Sequence, residues 1–223
     1  IDGTKLAIFV SAESHYSFLM SAHVLGIGRN GVIKIETDDV GRMKPDVLQT
    51  AIADTRADGR VPFCVVATTG TTVRGAFDSI DALADVCQDE ELWLHVDAAL
   101  GGPCLFSPKY KHLMEGIERA DSLTWDPHKL MGVPLTCSVL LTPHLGALGN
   151  TCSYIKSAHY LFHEPGEDFD LGRKSLQCGR RVDALKLWIE WKACGNLGWR
   201  NRIENYVDLA IELENLIIEN PNL

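Results

Sequence analysis

Three mostly apolar runs do most to restrict what this chain can become: Leu6-Ala7-Ile8-Phe9-Val10, Val61-Pro62-Phe63-Cys64-Val65-Val66-Ala67 and Leu92-Trp93-Leu94-His95-Val96. Strands covered on both faces read as continuous apolar stretches, whereas strands with one wet face alternate. Between the runs lie stretches with helical spacing. One continues from Ser11 to about Leu25 and is closed by Gly26 and Gly28; another opens at Pro45 and ends near Asp58 and Gly59. A third begins with Asp78 as its cap and turns Ile80, Leu83, Ala84 and Cys87 inward. Shorter strands are expected at Val32 to Ile35, Ser122 to Trp125 and Cys137 to Leu141. Parallel neighbours need a crossover, most often a helix. The pattern therefore predicts an α/β fold, a mostly parallel sheet with helices on both faces.

After Thr142 the pattern weakens. From His144 to Gln177 periodicity is poor, with Pro165, Gly166 and a mixed-charge run from Glu164 to Lys174, and the stretch reads as a long loop. Helical patterns return from Arg180 to Gly195 and from Trp199 to Glu219. With 223 residues, 46% hydrophobic and 23% charged, the chain can bury one sizeable core. A formal charge of -9 argues against a nucleic-acid partner. No apolar run is long enough to span a membrane, and Ile1-Asp2-Gly3-Thr4 does not open a signal peptide. The seven cysteines lack any Cys-x-x-Cys spacing, so no metal site is expected, and they read as small buried hydrophobes in a reducing cytoplasm.

In an open α/β sheet, ligands bind outside the carboxyl ends of the strands. Four polar residues fall at such ends: His15, Thr71, Asp97 and Lys129. Taken singly, each has an ordinary role. His15 suits a cap or a core, Thr71 a turn hydroxyl, Asp97 an N-cap and Lys129 a solvated surface. The frame of Lys129 sets it apart, because Ser122-Leu123-Thr124-Trp125 reads as a strand that Pro127 forces to end. Together the four residues suit pyridoxal phosphate. A lysine amine forms a C=N bond with the cofactor's aldehyde, a carboxylate pairs with the pyridinium nitrogen, and a histidine ring stacks on the cofactor's face.

Further motifs extend the set: Ser14-His15-Tyr16-Ser17, Val61-Pro62-Phe63, Ala67-Thr68-Thr69-Gly70-Thr71-Thr72-Val73 and Gly75-Ala76-Phe77-Asp78. They continue with His95-Val96-Asp97-Ala98-Ala99, Asp126-Pro127-His128-Lys129 and Gln177-Cys178-Gly179-Arg180-Arg181-Val182-Asp183. With these in order over nearly its whole length, the chain resembles the group II pyridoxal-phosphate decarboxylases, in particular the glutamate and cysteine sulfinate decarboxylase branch. The resemblance implies the type I, aspartate-aminotransferase-like fold. Residues 1–142 would be part of the cofactor-binding large domain, 143–179 an active-site loop region, and 180–223 helices leading to a small domain beyond the chain.

The resemblance further implies pyridoxal 5'-phosphate as cofactor, with Lys129 as the C=N-forming lysine and Asp97 as the pyridinium partner. His15 would stack on the ring and Ala99 would pack on its opposite face. Thr71 would lie near the ring oxygen, His128 near the phosphate or the C=N bond, and Asp126 near the phosphate. The implied protein is a cytoplasmic homodimer with its site at the subunit interface. It would remove the α-carboxylate of an acidic L-amino acid (glutamate, cysteine sulfinate or aspartate) as carbon dioxide. Two alternatives stay open: a pyridoxal-phosphate enzyme with a decarboxylation-dependent transamination outcome, and a non-catalytic cofactor-binding or interaction homologue.

Three positions depart from the family pattern. Asp126 stands where many relatives have asparagine, and Leu100 where tryptophan is common. Relatives carry a loop tyrosine that protonates the substrate's Cα, whereas Phe169 lies nearest that place here and a phenyl ring has no proton to give. Tyr154 and Tyr160 are the candidate substitutes.

Overall fold

The computed structural model describes residues 2–152, 171–177 and 179–220. Six strands form one sheet: β1 (Leu6–Ser11), β2 (Val32–Ile35), β3 (Val61–Thr68), β4 (Trp93–Asp97), β5 (Ser122–Trp125) and β6 (Val139–Leu141). Their order across the sheet is β2-β1-β3-β4-β5-β6. The first five run parallel, so the chain steps from β1 to one side and then returns to build outward on the other. That reversal leaves a crevice at the carboxyl ends, where such folds hold their ligands. The connection from β5 carries no crossover helix, and β6 accordingly returns antiparallel. Pro62 is tolerated in central β3 because pairing with β4 starts only at Cys64, and the β1 register shifts beside it, between Ala7 and Ile8.

Alternation along the strands divides the core. Ala7, Phe9, Val65, Ala67, Leu94 and Val96 face one side and bury against α2 (Pro45–Ala57) and α3 (Ile80–Asp89), chiefly Leu48, Ile52, Ile80 and Leu83. On the other side Val10, Cys64 and Val66 cluster with Phe18 of α1 (Ser17–Val24). Helices were expected on both faces. Among the described residues only α1 lies on this second one, and an apolar groove bordered by Ile8, Phe63 and Trp93 stays open beside it. The reason is length. Eight residues of helix reach only about 12 Å, enough to cross two or three strands spaced about 4.8 Å apart.

Asp78 does not cap α3 as its position suggested. The helix begins two residues later, and buried Asp78 accepts the main-chain N–H groups of Met43 (2.6 Å) and Thr68 (2.7 Å) with its two oxygens. Two buried donors from distant segments gain more from the carboxylate than one helix end would. The stretch read as a loop contains a short helix, α4 (Ala147–Cys152). The two C-terminal helical patterns join as α5 (Asp183–Glu219), interrupted only at Gly195, whose φ of 61° and ψ of 177° are not helical. Trp199 of α5 is fully buried with Met131, Val133 and Cys137, and Phe106, Trp125 and Trp191 close this second core. Among the described residues no helix is long and apolar enough to cross a membrane, and no His, Cys, Asp and Glu side chains gather as a metal site.

Candidate active site

Each of four strand ends delivers one part of a cleft. After β1 the backbone turns sharply, with the Ser14 N–H donating to the Ser11 carbonyl (3.0 Å) and the Glu13 N–H to the Ser11 hydroxyl (3.1 Å). That turn brings His15 to the start of α1, where its Nδ1 accepts the Ser17 N–H at 3.3 Å. With Nδ1 engaged as an acceptor, the ring proton of neutral His15 resides on Nε2. The Tyr16 ring flanks it at 4.3 Å.

The ends of β3, β4 and β5 align Thr68, Asp97 and Thr124 in one row, because parallel neighbours in register point their side chains the same way. One pleat lower on the same face sits His95, with Nδ1 2.8 Å from the Ser122 hydroxyl and Nε2 3.3 Å from the Thr124 hydroxyl. Burial lowers the pKa of His95, with the Asp97 charge opposing, so the ring is neutral. Asp97 accepts the Ala99 N–H at 3.1 Å with Oδ1. The Thr68 hydroxyl is buried and has no hydrogen-bond partner among the described residues.

After β5, Pro127 ends the strand and Lys129 closes a turn by donating its N–H to the Asp126 carbonyl (2.9 Å). The Lys129 amine lies 3.3 Å from the Asp126 carboxylate, which is nearly buried while the lysine side chain stays 40% exposed. His128 turns the other way, with Nδ1 2.7 Å from the Cys137 carbonyl oxygen and Nε2 3.9 Å from Asp126.

A cleft of about 470 Å³ gathers these groups, and His15, Asp97, Ala99, Asp126 and Lys129 line it together. Thr71 and His128 are not among the lining residues. Thr71 is a buried turn residue whose hydroxyl accepts the Ala76 N–H at 3.0 Å, and Thr68 and Thr72 line the cleft. His128 is held by the Cys137 backbone. Sequence reasoning also passed over His95, Thr124 and Thr68. Their signal was the two-residue period: His95 shares a face with Asp97, and the strand register sets the two threonines beside it. Tyr154, Tyr160 and Phe169 lie outside the described residues.

A six-stranded, mostly parallel sheet presenting a lysine, a carboxylate and a histidine at its carboxyl edge is the type I architecture of pyridoxal-phosphate enzymes. Residues 3–222 match the family described as pyridoxal-dependent decarboxylase conserved domain, and the chain belongs to that family. It is 48% identical over 208 residues to human cysteine sulfinic acid decarboxylase, covering 92% of this chain and 42% of that protein. It is 44% identical over 218 residues to the acidic amino acid decarboxylase GADL1 of Bos taurus, covering 96% of this chain and 41% of that protein. Among solved structures, mouse CSAD superposes with a TM-score of 0.90 at 46% identity, over 97% of this chain and 45% of that one. Oryza sativa TDC with PLP and tryptamine superposes with a TM-score of 0.91 at 29% identity, over 98% and 45%. The chain thus spans less than half the length of the curated relatives it matches.

The family's cofactor is pyridoxal phosphate, and the cleft's donor set fits it. The half-exposed Lys129 amine suits the aldehyde and the Asp97 carboxylate the ring nitrogen, while the unpartnered Thr68 hydroxyl offers a buried hydrogen bond in the same wall. Lys129 is the one Lys or Arg among the lining residues.

Proposed function

We propose that the protein carrying this chain is a pyridoxal-phosphate-dependent α-decarboxylase of an acidic L-amino acid, with cysteine sulfinate, glutamate and aspartate as the substrates to test. The observation that carries the reading is the convergence of Lys129, Asp97 and His15, from three separate strand ends, on one cleft. The names of the relatives, cysteine sulfinic acid decarboxylase and acidic amino acid decarboxylase, support the acidic substrate class. Bound in the cleft, the cofactor supplies an electron sink for the pair left at Cα when carbon dioxide departs. Lys129 would hold the cofactor covalently through its amine and would release it to the incoming amino group. Asp97 keeps a proton on the ring nitrogen, since a carboxylate next to a cation favours the charged form. His15, with Nδ1 accepting the Ser17 N–H, would stack over the cofactor and offer its Nε2 proton toward the substrate carboxylate. Ala99 would pack on the ring's other face, and Asp126, 3.3 Å from the Lys129 amine, would help to orient it.

Residues 1–142 in this reading belong to the cofactor-binding domain, 143–179 to a loop region at the site and 180–223 to helices leading toward a further domain. The protein is a cytoplasmic homodimer. Support for a second copy comes from α1, which starts beside His15, lines the cleft with Ser17 and Phe18, and leaves Met20 and Val24 exposed.

The decisive experiment reconstitutes the full-length protein with pyridoxal phosphate, reduces it with borohydride and maps the modified peptide. Carbon dioxide release from the three acidic amino acids is then followed. Modification at Lys129 with release is expected, and both vanish in Lys129→Ala. Modification at another lysine, or a Lys129 adduct without release, overturns the reading.

A further inference from the structure

Lys129 opens a loop, 129–137, that makes no sheet ladder, and its shape is fixed in two other ways. At the root the backbone closes on itself: the Gly132 N–H donates to the Lys129 carbonyl (3.0 Å) and the Val133 N–H to the Pro127 carbonyl (3.1 Å). At the rim two cations of α5 hold the loop's carbonyls. Arg202 Nη1 donates to the Met131 carbonyl at 2.9 Å, and Lys186 Nζ donates to the Pro134 carbonyl at 3.0 Å and to that of Thr136. Charged donors make stronger bonds to such carbonyls than neutral ones do.

Both cations are themselves fixed. Lys186 pairs with Asp183 at 2.7 Å, and the Thr136 hydroxyl donates to the same carboxylate at 3.4 Å. The Arg202 guanidinium lies 4.9 Å over the buried Trp199 ring, with Cys194 Sγ at 3.5 Å and Glu190 at 4.0 Å. Beneath Arg202 the loop's Met131 and Val133 are packed against Trp199. The non-helical Gly195 separates Lys186 from Arg202, so the two limbs of α5 grip the loop at different points.

This arrangement solves a geometric problem. The site must hold the cofactor's aldehyde at Lys129 and its ring nitrogen at Asp97, and a displacement of about 1 Å is enough to spoil such a match. Asp97 is set by strand pairing on both sides, with Thr68 and Thr124. Lys129 has no such support, and α5 provides it from outside the sheet. We propose that Arg202 is a positioning residue for Lys129, with Lys186 as the second anchor: by holding the loop's rim they set where the amine meets the aldehyde. The inference rests on Lys129 being the attachment residue.

The chemistry used as readout is balanced. The amine lone pair attacks the aldehyde carbon, the carbonyl oxygen leaves as water with both amine protons, and a C=N bond forms. Borohydride then adds hydride to carbon while solvent protonates nitrogen. In the full-length protein, pyridoxal phosphate is titrated by its visible absorbance at fixed pH, the adduct at Lys129 is trapped, and thermal unfolding without cofactor is recorded. Arg202→Ala is expected to raise the half-saturating concentration about tenfold, and Arg202→Lys, which keeps one charged donor, to recover most of that loss. Ile203→Val, a buried change at the neighbouring position that keeps both cations and their bonds to the loop, serves as the comparison for lost stability alone. It should lower the unfolding temperature and leave half-saturation unchanged. Unchanged half-saturation in Arg202→Ala, or equal shifts in the Arg202→Ala and Ile203→Val proteins, overturns the proposal. A wild-type protein with no trappable adduct at Lys129 instead overturns the functional reading, and this inference with it.

Discussion

The Asp126 carboxylate lies 3.3 Å from the Lys129 amine and is far less exposed than its partner. That relationship sets one negative charge beside the amine and, on the proposed assignment, near the space the cofactor's phosphate would approach. Asp126→Asn removes the charge, keeps the shape and leaves a hydrogen-bond acceptor for the amine. Pairs of this exposure are worth about 1 kcal/mol or less, so pyridoxal phosphate should bind about three- to fivefold more tightly in the variant. Absorbance titration at low and high salt checks this, with the difference shrinking as salt screens the carboxylate. Weaker binding in Asp126→Asn would mean that the carboxylate's main effect is to aim the amine.

Thr68 gives a prediction of opposite character. Its hydroxyl is buried without a partner, a state that costs about 1–3 kcal/mol. Thr68→Val keeps the volume and the main-chain N–H held by Asp78. Without cofactor, the variant should unfold at a higher temperature than wild type. With pyridoxal phosphate its affinity should fall if bound cofactor supplies the partner that the hydroxyl lacks. A variant that neither gains stability nor loses affinity would show that the hydroxyl is solvated by water in solution.

Much of this was written in the chain. The five parallel strands, the helix from Pro45 and the meeting of His15, Asp97 and Lys129 all follow from apolar runs ending in polar residues. Three features were not legible, for different reasons. Thr71 and Thr72 are adjacent and chemically alike, and only the buried turn decides which one faces inward. Asp78 looks like a helix cap because its competing partner, the Met43 N–H, lies 35 positions away in sequence. The open second face could not be read from strand composition, since an apolar strand shows what it needs covered and not what covers it.

His95 and Asp78 predict opposing pH slopes of stability. Burial holds the His95 pKa below its ordinary 6.5, so its contribution is complete above pH 6.5 and is lost as pH falls below that value. Burial pushes Asp78 from 3.8 up to about 6 against its two N–H bonds, so its contribution is largest below 3.8 and is lost as pH rises through about 6. In wild type the two partly cancel between pH 4 and 6.5. His95→Gln removes one of them, and that variant, compared with wild type, should be relatively more stable at pH 5 than at pH 7.5. Urea unfolding midpoints at the two pH values measure it.

Thiol chemistry offers an independent check on packing. Burial raises Cys64 and Cys87 to about 12 and Cys104 to about 11, leaving almost no thiolate at pH 8. Cys194 is only half-buried. Iodoacetamide at pH 8 should therefore label Cys194 well before those three, and urea should erase the difference. Peptide mapping after timed quenching reads the order directly. Early labelling of Cys64 would mean that the groove beside Phe63 opens far enough to admit the reagent.

The strand order carries a consequence for how the protein is made. His15 follows the first strand and Lys129 the fifth, with every crossover of the parallel sheet between them. A growing chain therefore owns His15 and Asp97 before it owns the Lys129 amine. No shorter stretch of it can trap an aldehyde in this cleft. On the proposed assignment, cofactor capture would wait for the whole parallel sheet, and bound cofactor would stabilise only chains whose distant strand ends have already come together.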